Sequence, residues 1–141
     1  MNNINLGRVV LGGLLAGLVL NVGECVRNDF VMGSQMRDFM REHSFREPAG
    51  IFIAIAVGLT FIMGIVLVLV YSMIRTRLGP GVKTAIIAGL FGWFAVYCYS
   101  GIINGVLFGI PTATIGTVVV WGLVQYVLAA IAGAWLYKEA A

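Results

Sequence analysis

The sequence predicts an all-α fold: a four transmembrane helix bundle with an amphipathic interfacial helix between spans 1 and 2. Three observations carry that prediction. First, 60% of the 141 residues are hydrophobic and only 11% are charged, less than half of the roughly 25% typical of a soluble domain. This excludes a disordered chain, which needs low hydrophobicity and high net charge. It also excludes an ordinary soluble domain, whose surface needs more charge. Second, the charges divide the chain: Glu24 is the one acid between Arg8 and Arg27, and no charge occurs from Pro48 to Ile74 or from Thr84 to Tyr137. Third, these stretches have the length of membrane crossings, about 20 residues at about 1.5 Å rise over about 30 Å. Lipid offers no water to exposed backbone groups, and four segments are too few to close a β-barrel, so the spans must be helices.

The first span is expected over Leu6–Val26. It has one Arg, an apolar run and small residues, like a secretion signal, but no A-x-A pattern follows, so it reads as a retained helix. The connection 27–47 reads as a short amphipathic helix, with Met32, Met36, Phe39, Met40 and His43 on one side. Gln35, Arg37, Asp38, Arg41 and Glu42 fall on the other. Such a helix is expected in the headgroup plane, the alternative being a cap over the end of the bundle. The second span is expected over Pro48–Ile74 and ends at the tight turn Leu78-Gly79-Pro80-Gly81, where Pro fixes φ and Gly permits positive φ. The last charge-free stretch holds two spans, Thr84–Phe108 and Thr112–Tyr137, broken at Gly109-Ile110-Pro111-Thr112. All of it forms a single integral membrane domain, 1–141.

Four spans place both ends of the chain on one side, with Arg8, Arg75, Arg77, Lys83 and Lys138. Arg27, Arg37, Arg41 and Arg46 fall on the other. The acid-free loop of Arg75, Arg77 and Lys83 gives the clearest positive-inside signal, so both termini are expected in the cytoplasm and these three residues at lipid headgroups. Tyr71, Trp135 and Tyr137 form the expected aromatic belt there. A net charge of +3, spread over both sides, points to the lipid bilayer rather than to nucleic acid.

Helices in lipid associate through small residues that allow close approach. Gly13-x3-Gly17, Ala54-x3-Gly58, Ala85-x3-Gly89, Ala88-x3-Gly92 and Ala129-x3-Gly133 place such a pair in every span. They are the expected packing positions of a tight bundle, and of a homo-oligomer or a contact with other membrane proteins. Cys25 and Cys98 lie in apolar helices and read as free, buried thiols.

The candidate site is intramembrane and polar. Glu24 has two readings: a headgroup-level acid paired with Arg27 at i+3, or a buried proton or cation site. Asn21 lies on the same face, continuing Gly13 and Gly17. Tyr97, Ser100 and Asn104 recur along the third span, and Gln125 lies near the middle of the fourth. A cluster of Asn21, Glu24, Tyr97, Ser100, Asn104 and Gln125 is expected, either as a site or as plain interhelical hydrogen bonding. His43 reads as an interface residue. No catalytic motif appears, and one His with two separated Cys builds no usual zinc or haem site. No enzyme activity, metal or cofactor is expected.

On Leu18-Val19-Leu20-Asn21-Val22-Gly23-Glu24, Leu78-Gly79-Pro80-Gly81 and Ala132-Gly133-Ala134-Trp135-Leu136-Tyr137-Lys138-Glu139, the chain resembles small uncharacterised four-helix integral membrane proteins of bacteria. That resemblance implies a fold and an inner-membrane location, and no chemistry. Through Glu24 alone it also resembles the small multidrug-resistance exporters. In these a first-span Glu exchanges protons for cationic drugs within a dimer. The sequence departs from that pattern in its long first connection and in placing Glu24 near the end of its helix. The expected function is that of a non-catalytic packing or accessory membrane component; the alternative is a small proton- or cation-coupled transporter using Glu24.

Overall fold

The computed structural model describes residues 4–46 and 48–138. Glu47, which closes the first connection, and the two ends of the chain, with Glu139 of the last motif, lie outside the described residues. The fold is helical, with no strand among the described residues. Helix α1 (Leu6–Val26) starts at Asn5, whose side chain accepts the Arg8 N–H at 3.1 Å, satisfying one of the orphan donors of the first turn. It continues without a break as a π-helical turn over Arg27–Val31. The short helix α2 (Gly33–Glu42) follows, then α3 (Gly50–Leu78). The third long helix is continuous over Val82–Leu107 but changes pitch: α4 (Val82–Trp93), a π-helical stretch Phe94–Tyr99, and α5 (Ser100–Leu107). Helix α6 (Thr112–Leu136) closes the fold. The four long helices are long and apolar enough to cross a membrane.

The helix ends follow local chemistry. Helix α3 runs one turn beyond the expected Ile74 and takes up Arg75 and Arg77, stopping only at Gly79, whose φ is 82°. Pro80 and Gly81 follow, and Thr84 Oγ1 donates to the Gly79 carbonyl at 2.7 Å.

Helix α1 packs on α3 and α6, α4 packs on α6 and α3, and α3 touches α6 across the middle. The core is small and tightly spaced: Ala16, Leu20, Leu67, Val68, Ala85, Ala88, Ala129 and Ala130 are buried. Large apolar side chains point outward, among them Leu11, Leu18, Phe52, Ile62, Phe91 and Leu128. That distribution suits a lipid surround, where exposed Leu and Phe carry no penalty.

The closest approach is glycine on glycine. A Cβ at Gly13 would lie 2.9 Å from the Ile65 nitrogen, and one at Gly17 would lie 2.8 Å from the Phe61 Cα. On the α3 side the matching residue is Gly64, where a Cβ would lie 2.7 Å from the Gly17 Cα. Ala54 and Gly58 do not serve as packing positions within the chain. They are exposed, and nothing lies within 4 Å of a Cβ at Gly58; both stand toward the start of α3, before Phe61, Gly64 and Ile65, the residues that meet α1. Gly89 meets the α6 backbone at Tyr126 and Val127, Gly92 meets the Tyr126 ring, Gly133 meets Gly12 and Ala16 of α1 and Val68 of α3, and Ala129 is buried.

At the end of the bundle near the Gly79 turn, Tyr71 and Tyr137 are buried and meet edge to face at 5.9 Å, with the Arg75 guanidinium over the Tyr137 ring at 5.4 Å. Only Trp135 of the expected aromatic belt faces outward, at 79% exposure. The tyrosines turn inward because each has a partner there. Cys25 is exposed and Cys98 half-buried, so Cys25 is not the buried thiol its apolar helix suggests; it lies on the outward face of α1.

At the opposite end, α2 turns part of its apolar side to the bundle. Met32 is buried, Met36 and Phe39 line a cavity of about 390 Å³ with Ile110, Pro111 and Thr114, and Thr114 Oγ1 donates to Gln35 Oε1 at 3.4 Å. The two sides of α2 also divide differently from the expected split. Asp38 and Glu42 share the cavity wall with Phe39, while Arg37 and Arg41 lie with Met40 on the other side. His43 stacks by Phe39 and Phe45 and bonds the Phe39 carbonyl.

Candidate functional site

Glu24 stands in the last turn of α1, where the helix gives way to the π-helical turn that begins at Arg27. Arg27 lies one turn on and pairs with it, Nη2 to Oε2 at 2.6 Å. The same guanidinium donates through Nη1 to the Tyr97 hydroxyl at 2.6 Å and through Nε and Nη2 to Asn28 Oδ1. Tyr97 in turn donates to Glu24 Oε1. From α6, Gln125 Nε2 donates to Glu24 Oε1 at 3.1 Å and to the Leu20 carbonyl at 3.0 Å. One carboxylate thus ties three of the four long helices together. Its charge is balanced by Arg27, which a partly buried carboxylate requires.

Glycines make the room. Gly122 of α6 lies directly under the Tyr97 ring, and Gly23 lies against the Gln125 side chain, where a Cβ would stand 2.7 Å from Cδ. Trp121 Nε1 donates to the Gly23 carbonyl at 3.2 Å, and the Tyr97 and Tyr126 rings meet edge to face at 5.7 Å. Both π-helical stretches converge on this cluster: one holds Arg27, the other Tyr97. Such inserted residues in a helix recur at functional sites, and here they aim two of the four polar side chains.

Beside the cluster is an open-sided groove of about 490 Å³. It exists because α3 packs on α4 but parts from the π-helical stretch and α5. Glu24, Tyr97 and Gln125 line its floor; Thr60 and Met63 of α3 and Ser100 and Asn104 of the third long helix line its sides.

The expected cluster is therefore brought together in part. Glu24, Tyr97 and Gln125 meet. Asn104 and Ser100 reach the same groove but bond within their own helix, Asn104 Nδ2 to the Ser100 carbonyl at 2.7 Å. Asn21 does not join; its amide donates to the Gly17 carbonyl at 2.9 Å, one turn back. Arg27 is the principal addition, foreseen as the partner of Glu24 but not as the link to Tyr97. No group of three or more metal-ligating side chains occurs among the described residues. The chain matches no family model, no curated protein and no solved structure. The geometry of the cluster therefore carries the functional reading by itself.

Proposed function

We propose that this chain is a non-catalytic, multi-pass membrane component, and that its polar cluster holds the bundle in shape so that its outer faces engage neighbouring membrane proteins or a second copy. The observation that supports this reading is the saturation of Glu24. Both carboxylate oxygens are occupied by Arg27, Tyr97 and Gln125 of the same chain. A carboxylate so engaged serves cohesion between helices. The exposed Ala54 and Gly58 supply a small-residue face for a neighbour. In this reading the protein resides in a bacterial inner membrane with both termini cytoplasmic. Arg77 and Lys83 meet lipid headgroups there, and α2 lies at the opposite headgroup plane. A reporter active only in the periplasm, fused at Ala141, is expected to stay silent, and the same reporter in the connection near Arg46 to be active; the reverse pattern contradicts this orientation.

The groove favours a second reading, a proton- or cation-coupled transporter in which Glu24 is the exchanging acid and Tyr97 and Asn104 line the path. Proteoliposomes separate the two. The accessory reading predicts no proton flux above empty liposomes for the wild type or for Glu24→Gln. Proton-linked flux in the wild type that Glu24→Gln abolishes would establish the transporter instead.

A further inference from the structure

The charges of α2 are sorted by sign around its axis. Gln35, Asp38 and Glu42 face the cavity shared with Pro111 and Thr114. Arg37 and Arg41, one turn apart, border a separate cavity of about 350 Å³ whose remaining walls are Met40, Phe45 and Pro48. The only ion pair among the described residues is that of Glu24 and Arg27, so neither arginine is neutralised by a described carboxylate. The cavity is thus cationic at its rim and apolar inside. It borders the start of α3, where Ile51 and Phe52 are 71% and 60% exposed.

We propose that this cavity is a binding site for an anionic phospholipid, with Arg37 and Arg41 holding the phosphate. Guanidinium groups match phosphate oxygens in geometry as well as charge, and basic side chains beside a membrane crossing attract anionic headgroups. Met40, Phe45 and Pro48 give the first methylenes of the acyl chains an apolar wall that leads onto Ile51 and Phe52. A free phosphate would use the two arginines but gain nothing from that wall, and this makes the membrane lipid the occupant. The proposal rests on the membrane-spanning reading only for the depth of the site.

The test is native mass spectrometry of the full chain in detergent, titrated with phosphatidylglycerol, phosphatidylcholine or inorganic phosphate. Binding in micelles is read without insertion into a bilayer, so its outcome is separate from that of the topology reporter. The wild type is expected to retain phosphatidylglycerol at least tenfold more tightly than phosphatidylcholine. The double variant Arg37→Gln/Arg41→Gln is expected to lose that preference, and Phe45→Ser to weaken lipid retention severalfold. Arg46→Gln, outside the cavity wall, is expected to stay within twofold of the wild type. All these residues are exposed or half-buried, and circular dichroism checks that each variant is folded. Equal retention of phosphatidylglycerol by wild type and double variant overturns the proposal. So does displacement of the lipid by millimolar inorganic phosphate, which would mark a soluble-anion site.

Discussion

Gly64→Val is expected to be the most damaging single substitution in the bundle. The added Cβ meets the backbone of α1 at Gly13 and Gly17 rather than a side chain that can swing aside. Overpacking a well-filled interior costs about 1–3 kcal/mol, and a backbone obstacle places this case at about 3 kcal/mol. At roughly 3 °C per kcal/mol for a chain of this size, the unfolding midpoint in detergent should fall by about 10 °C. Gly58→Val, two turns earlier on the same helix, meets nothing within 4 Å and should stay within about 0.5 kcal/mol of the wild type, as surface changes usually do. Circular dichroism during heating checks both. Equal midpoints for the two variants would contradict the placement of the α1–α3 contact.

Glu24→Ala should be nearly as costly, for an electrostatic reason. It strands the Arg27 guanidinium, which is 18% exposed, and removes the acceptor of Tyr97 and Gln125. Deleting one member of a buried ion pair costs about 3–5 kcal/mol. Partial exposure of Glu24, at 28%, puts the expected loss near the lower figure, about 3 kcal/mol, again visible as a lowered midpoint. Gln125 keeps its bond to the Leu20 carbonyl, so the α1–α6 contact should survive and unfolding should remain cooperative.

Composition alone made the helices legible, because a residue that faces lipid cannot carry charge and the charges therefore mark the ends. The meeting of Glu24, Tyr97 and Gln125 was legible for a related reason: an isolated acid or amide in an apolar helix needs a partner. The same reasoning overreached for Asn21 and Asn104, since each finds a carbonyl one turn back in its own helix and needs no neighbour. Gly64 was not legible as the packing residue of its span. Thr60-x3-Gly64 is a small-x3-small pair of the same kind as Ala54-x3-Gly58, and which of the two pairs of one span meets α1 is not set by any single-helix pattern but by tertiary packing. Nor do the π-helical stretches leave a signature in sequence. They add a residue to a turn without changing composition, yet they decide where Arg27 and Tyr97 point. The inward turn of Tyr71 and Tyr137 depends on Arg75 and on their mutual contact, which no single-helix pattern contains.

In the proposed reading Glu24 and Arg27 act as one unit that secures the bundle. A double-mutant cycle on the unfolding free energy, with Glu24→Leu, Arg27→Leu and the pair together, measures that directly. If the two side chains form one neutral unit, the double variant is far less destabilised than the sum of the singles, with a coupling energy of at least about 2 kcal/mol. Additive losses, within about 0.5 kcal/mol, would show that the two residues act separately and that the pair does not secure the bundle.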